Sequence, residues 1–258
     1  MPSLPAFAEW QADPRWQRIE FISDLHLRKS EPQTFDAWQQ YFDSTRADAV
    51  LILGDLFEAW VGDDSRSSGF EAQCAQVLRE ASAARCIAFM QGNRDFLLGA
   101  EMLRDSGVTA LPDPTVLLAF GQRVLLSHGD ALCIDDTAYQ AFRQQVRSAA
   151  WQQDFLSRPL AQRRALARQM RDASERNQQG QSPGPWSDVD PATALAWLRA
   201  AGCNILVHGH THRPASGSVA PGCVRHVLSD WDMHSAPPRA QVLELTTAGF
   251  ARRGLTGA

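Results

Sequence analysis

Five short apolar runs in this chain each stop abruptly at a cluster of polar residues. Arg18–Ile22 ends at Ser23-Asp24-Leu25-His26, Ala49–Leu53 at Gly54-Asp55, and Cys86–Met90 runs on to Gly92-Asn93-Arg94-Asp95. Arg123–Leu126 ends at His128-Gly129-Asp130, and Asn204–Val207 at His208-Gly209-His210-Thr211-His212. Runs this short, rich in Val, Ile and Leu, read as buried strands. Helical patterns at Phe35–Phe42 and Phe70–Ala84 lie between them, and Val224–Leu228 and Ala240–Leu245 read as further strands. Alternating strands and helices predict an α/β fold. A core strand that delivers polar side chains at its end, rather than a bland turn, predicts a functional site there.

Composition narrows the class. A chain of 258 residues is long enough for one large α/β domain, here expected over 1–258, carrying an insertion. The net charge of −4 gives no general attraction to nucleic acid, and no basic groove with interleaved aromatics argues for a nuclease. Cys74, Cys86, Cys133, Cys203 and Cys223 are scattered and form no CxxC pair, which fits a reducing compartment and disfavours a structural zinc. The N-terminus lacks the pattern of a signal peptide, and no apolar stretch approaches the ~20 residues of a membrane span.

Residues 135–186 break the strand–helix rhythm. Tyr139, Phe142, Val146 and Ala150 fall at helical spacing, and Leu160, Leu166 and Met170 suggest a second helix after Pro159. Between Arg143 and Arg176 stand eight arginines against Asp154, Asp172 and Glu175, a local charge of +5. Asp190-Pro191 starts a last helix that Gly202 can end.

The polar clusters together offer Asp24, His26, Asp55, Asn93, His128, His210 and His212. Carboxylate, amide oxygen and imidazole suit Mn²⁺, Fe or Zn²⁺. Asp24 and His26, two apart on an extended chain, point the same way, and so do His210 and His212. Asp55 stands alone, as a carboxylate bridging two cations would. Two cations ~3.5–4 Å apart can clamp a phosphoryl group and acidify a shared water.

These motifs, spread over residues 24–212, resemble the signature of the calcineurin-like metallophosphoesterases. The resemblance implies a four-layer α-β-β-α sandwich of two mixed sheets. It implies one metal on Asp24, His26, Asp55 and His212, and another on Asp55, Asn93, His128 and His210, with Asp55, Asn93, Arg94 and His210 at the catalytic centre. Where many of these phosphatases carry Gly-Asn-His, this chain has Arg94. Arginine, with a pKa above about 12, is a poor proton donor but a good phosphate ligand. A leaving group that needs little protonation, such as the phosphate oxygen of a pyrophosphate, fits that exchange.

The segments 54–64, 92–99, 128–136, 139–143 and 208–214 more closely resemble the UDP-2,3-diacylglucosamine hydrolases, a likeness running from about residue 19 to about residue 246. It implies hydrolysis of the pyrophosphate of UDP-2,3-diacylglucosamine to 2,3-diacylglucosamine 1-phosphate and UMP, with attack by a metal-bridged hydroxide on the phosphorus nearer uridine. It implies two divalent cations, expected to be Mn²⁺, and a monomer attached peripherally to the cytoplasmic face of a Gram-negative inner membrane. It also makes 135–186 a helical lid over the acyl chains, and the charge of its arginines is expected to meet anionic lipid head groups. Asn93, Arg94, Asp136, Ser174 and His210 are the implied substrate contacts. The family's lid asparagine and lysine fall at Gln178 and Gln181. Asp63, Asp64 and Asp130 are expected to support ligands or form turns, and His226 and His234 to be structural or exposed. The alternatives are a related dinuclear phosphoesterase acting on another nucleotide or phosphate ester, and a non-catalytic scaffold on the same fold, which the complete ligand set argues against.

Overall fold

The computed structural model describes residues 4–180 and 188–255, with the backbone alone over 172–180. The strands are β1 (Ala8–Gln11), β2 (Ile19–Ile22), β3 (Ala49–Leu53), β4 (Cys86–Met90), β5 (Thr109–Ala110) and β6 (Thr115–Ala119). They continue with β7 (Gln122–Ser127), β8 (Ile205–His208), β9 (Ala215–Ala220), β10 (Cys223–Val227), β11 (Gln241–Thr246) and β12 (Gly249–Gly254). The helices are α1 (Pro32–Ser44), α2 (Gly69–Ala84), α3 (Ala100–Ser106), α4 (Thr137–Val146), α5 (Ala149–Ser157), α6 (Leu160–Gly180) and α7 (Pro191–Ala200).

The strands form two mixed sheets of six, ordered β1-β6-β7-β8-β10-β9 and β12-β11-β2-β3-β4-β5. Strand alternation explains why they stack. In the second sheet Phe21, Leu51, Leu53, Ala88 and Met90 face inward and meet Leu117, Val124, Leu126 and Val207 of the first. The intervening residues Ile22, Val50, Ile52, Ile87 and Phe89 face outward onto Trp38, Tyr41 and Leu78 of α1 and α2. On the far side, Val116, Leu125 and Leu206 pack against Ala194, Trp197 and Leu198 of α7. The central strands of both sheets are thus covered on both faces, which is why they read as unbroken apolar runs. Truncating Leu51, fully buried between the sheets, would cost about 2–5 kcal/mol.

This packing positions the site. Parallel β2, β3 and β4 are in register at Ile22↔Ile52 and Leu53↔Met90, so their C-terminal loops emerge side by side. Parallel β7 and β8 pair Ser127↔His208 and release His128 and His210 at the same edge.

The inserted stretch differs from its reading as two helices. Tyr139, Phe142, Val146 and Ala150 do not share one helix. The α4 helix ends at Val146, and the Ser148 hydroxyl accepts the Trp151 amide at 3.4 Å to start α5. A serine that bonds the backbone three residues on competes with helix continuation. Asp190 caps α7 as expected, accepting the Thr193 amide at 2.7 Å. No helix among the described residues is long and apolar enough to cross a membrane.

Candidate metal centre

Loops after strands of both sheets are stitched together by their own backbones. The Asp24 amide donates to Gly54 O at 3.1 Å, the His26 amide to Asp55 O at 3.0 Å, and the Gly209 amide to His128 O at 2.9 Å. Asp95 reinforces this from inside, fully buried, accepting the amides of Gly92 at 2.8 Å and Leu56 at 2.7 Å. Burial and the neighbouring Asp55 charge raise its carboxyl to about 7 despite those amides.

Six described non-glycine residues have left-handed backbones, and five of them are Asp24, His26, Asp55, His210 and His212. Such conformations are costly for side-chain-bearing residues and persist where surrounding structure over-determines them. They also correct one expectation. Asp24 and His26 are not on an extended segment, and His210 and His212 do not point the same way. The chain turns at each of these residues. His212 Nε2 lies 3.3 Å from Asp24 Oδ1 and 3.2 Å from His26 Nε2, whereas His210 Nδ1 lies 2.8 Å from Asn93 Oδ1.

Two groups of donors result. Asp24, His26 and His212 converge in one, and Asp24, Asp55 and His128 in the other. The Asn93 oxygen, 2.9 Å from His128 Nε2 and 2.8 Å from His210 Nδ1, extends the second. The two oxygens of Asp55 face both: Oδ2 is 3.9 Å from His26 Nε2, and Oδ1 is 3.7 Å from His128 Nε2. His128 Nδ1 is fixed on Leu53 O at 2.9 Å, leaving Nε2 for the site.

The electrostatics favour a cation. Burial pushes the His128 ring pKa down, yet Asp55, Asp130 and Asp24 together raise it to about 9. Burial, and then the His128 charge, lower His210 to about 4, so it is a neutral donor near pH 7. The Asp24 carboxyl is pushed up by burial but held well below the usual range, first by the His212 hydrogen bond and charge. Oxygen and imidazole donors in this field fit divalent cations without a thiolate. Close packing leaves no room for change: a Cβ on Gly92 would lie 2.2 Å from Asp55 Oδ1, and one on Gly209 would lie 2.4 Å from Asp24 Oδ2.

Around this centre, Arg94 donates its amide to Asp55 Oδ1 at 2.8 Å, and its guanidinium lies 3.7 Å from Glu58. Glu58, which sequence reasoning passed over inside segment 54–64, also reaches His26 Nδ1 at 3.3 Å. Its one signal was an acidic residue three positions beyond a ligand. Asp130 anchors α4: it takes the Tyr139 hydroxyl at 2.6 Å and Arg143 Nε at 2.7 Å, and the Tyr139 ring stacks on His210 at 6.0 Å. Asp63 accepts the Gly99 and Met102 amides, each at 2.9 Å, at the start of α3. Asp64 pairs with Arg163, and His226 stacks on Phe250. His234 is exposed.

The candidate contacts in the insertion are placed less closely. Asp136 is exposed and caps α4, accepting the Tyr139 amide at 2.9 Å. The backbones of Ser174 and Gln178 lie in α6, while their side chains, and Gln181 altogether, lie outside the described residues. Six of the insertion's arginines sit in ion pairs. Arg143 and Arg147 pair with Asp130, Arg158 with Asp154, Arg163 with Asp64, Arg164 with Glu71 and Arg171 with Glu58. The local charge of +5 is answered mainly by acidic residues outside the insertion, because desolvating a guanidinium against the core requires a partner.

A family profile described as calcineurin-like phosphoesterase matches residues 17–214. A UDP-2,3-diacylglucosamine hydrolase of Chromobacterium violaceum is 47% identical over 220 residues, covering 83% of this chain and 90% of that one. Another, of Xanthomonas campestris pv. campestris, is 46% identical over 222 residues, covering 82% and 90%. The one of Stenotrophomonas maltophilia is 43% identical over the same length and coverage. With two mixed sheets stacked face to face and ligand-bearing loops at their shared edge, the chain belongs to the calcineurin-like phosphoesterases and, within them, to the UDP-2,3-diacylglucosamine hydrolase family.

Proposed function

We propose that this chain hydrolyses the pyrophosphate of UDP-2,3-diacylglucosamine, releasing UMP and 2,3-diacylglucosamine 1-phosphate for lipid A synthesis. The observation that carries the reading is Asp55, whose two carboxylate oxygens face the two donor groups. One group would hold a cation through Asp24, His26, Asp55 and His212, and the other through Asp55, Asn93, His128 and His210. Bound there, two divalent cations, in our reading Mn²⁺, supply Lewis-acid polarisation of the phosphoryl group and a more acidic water.

The chain's own residues orient the reaction. Arg94, adjacent to Asn93, neutralises a phosphate oxygen; as a guanidinium it donates hydrogen bonds but no proton to the leaving group. That suits departure of a sugar 1-phosphate, which leaves as an anion. Neutral His210, stacked on Tyr139, offers a hydrogen bond to the same phosphate. Residues 135–186 form the lid in this reading. Phe142, Leu156 and Met170, exposed at 38%, 42% and 37%, offer apolar surface for acyl chains and for peripheral contact with the cytoplasmic face of the inner membrane. Asp136, Ser174, Gln178 and Gln181 are the proposed head-group contacts, and the working unit is a monomer.

The test is an assay of chelator-stripped protein, with and without Mn²⁺, on UDP-2,3-diacylglucosamine in ¹⁸O-water. UMP carrying the label, only when metal is restored, is the expected result. Label in the sugar phosphate would move the attack to the other phosphorus. Preference for water-soluble nucleotides would replace the lipid substrate with another phosphate ester.

A further inference from the structure

Glu58 touches three parts of the molecule at once. Its Oε2 lies 3.3 Å from Nδ1 of His26, a residue of the first donor group. Its Oε1 lies 3.7 Å from Nη1 of Arg94 and 3.4 Å from Nη1 of Arg171, which reaches in from α6. The carboxylate is only 15% exposed, so these contacts are poorly screened. Glu58 stands just past the loop of Asp55, and its amide is fixed on Leu27 O at 3.2 Å, next to His26. It touches no substrate in the proposed reaction and completes neither donor group.

We propose that Glu58 is a positioning residue that fixes the His26 ring toward the first metal, holds Arg94 beside the second donor group, and ties both to the inserted helix through Arg171. At 3.3 Å the Glu58 carboxylate is within reach of His26 Nδ1, and a small turn of the ring lets it accept Nδ1–H, which sets the tautomer whose Nε2 lone pair faces the site and makes that nitrogen a better ligand. Arg94, 3.7 Å from the same carboxylate, is kept near the site yet held loosely enough to turn onto an incoming phosphate. Arg171 anchors the carboxylate from the other side, so docking of α6 and the order of the metal site depend on one side chain. Lid placement and metal affinity are therefore linked.

The inference rests on the dinuclear reading of the site, and its test reads metal binding and turnover separately. Full-length chain stripped by chelator is titrated with Mn²⁺ by calorimetry and electron paramagnetic resonance, as wild type, Glu58→Ala, Glu58→Gln, Arg171→Met and the Glu58→Ala/Arg171→Met pair. Glu58→Ala is expected to weaken one of two Mn²⁺ sites by about 10- to 100-fold, the usual effect of losing such a partner. Glu58→Gln keeps an acceptor oxygen and the same volume, and is expected to weaken that site less and to raise KM through Arg94 more than it lowers kcat. Arg171→Met is expected to weaken the same site in the same direction, and the double variant to bind no worse than Glu58→Ala, because the two act through one contact.

Wild-type affinity at both sites in Glu58→Ala or, should that variant not fold, in Glu58→Gln, overturns the proposal. So do fully additive losses in the double variant. Absence of Mn²⁺ binding by the wild type would overturn the dinuclear reading along with it. Two-site Mn²⁺ binding without hydrolysis of UDP-2,3-diacylglucosamine would remove only the substrate assignment; the Glu58 effect on affinity would still decide this inference.

Discussion

The strand-end loops and the inserted helices lie against each other but are held by different bonds. The loops are fixed by backbone amides on carboxylates: Asp95 takes the Gly92 and Leu56 amides, and Asp24 takes the His210 amide at 2.9 Å. The helices are fixed by long arginines reaching out to acids outside the insertion, Arg143 to Asp130, Arg163 to Asp64, Arg164 to Glu71 and Arg171 to Glu58. Apolar contact helps, with Trp151 stacked on Phe155 at 4.8 Å and Leu160 and Leu166 against the outer core. Short amide bonds within a close-packed turn hold a ligand to a fraction of an ångström, as a metal site requires. Ion pairs on flexible side chains hold less tightly and let go individually, as the proposed lid role of this insertion requires.

Four substitutions would break or sharpen that contrast. The largest effect is expected from Asp55→Ala, which removes a donor from both groups. A single preorganised transition-state donor is worth about 10²–10³-fold. The variant should therefore lose at least about 10³-fold in kcat/KM while α4 stays docked, read from Mn²⁺ titration and kinetics. Normal turnover with two bound metals would displace Asp55 from the centre.

Next comes Asp130→Ala, which removes the buried partner of half-buried Tyr139 and Arg143. Breaking a buried pair costs about 3–5 kcal/mol, to be read by chemical denaturation. The pH dependence follows. Burial pushes the Asp130 carboxyl up, but Arg143, then His128 and Arg147, hold it far below the usual range. A depressed folded-state pKa means the contribution is complete above the unfolded value of about 3.9 and declines as pH falls through it toward the folded one. Wild type should lose stability below about pH 4, and the variant should lack this part of the loss. An identical acid profile would mean that α4 is anchored otherwise.

Arg94→Ala should cost about 1.5–3 kcal/mol of transition-state binding, roughly ten- to more than a hundredfold in kcat/KM, without releasing metal. Unchanged kcat and KM would show that no phosphate contact exists. The smallest effect belongs to Arg164→Gln. Its pair with Glu71 is 3.1 Å long, and the arginine is 40% exposed, so solvent screening limits the loss to about 0.2–1 kcal/mol. A thermal midpoint shift larger than a few degrees would mean that the insertion is held more cooperatively than pair by pair.

Much of the centre could be read from residue types. Seven oxygen and imidazole donors placed after five apolar runs are chemically conspicuous, and the structure brings Asp24, His26, Asp55, Asn93, His128, His210 and His212 together at one edge of the sheets. Their aim could not be read, because left-handed turns at Asp24, His26, His210 and His212 override the alternation of an extended chain. Glu58 was invisible because its importance lies in what lies across from it. Strands β9 (ASGSVA) and β12 (GFARRG) escaped because sheet-edge segments with exposed positions lack the apolar alternation that marks a buried strand.

The local sequence, then, determined where strands end, which residues are suited to hold cations, and that the inserted stretch through Gly180 would be helical and basic. Those properties depend on neighbours a few positions away: apolar periodicity, a proline, a capping aspartate. Only tertiary structure decided that α4 stops at Val146, that Arg163 pairs with Asp64, and that Asp55 turns one oxygen to each donor group. A charge is compensated by whatever the fold brings within a few ångströms, and 99 residues separate Arg163 from Asp64 along the chain.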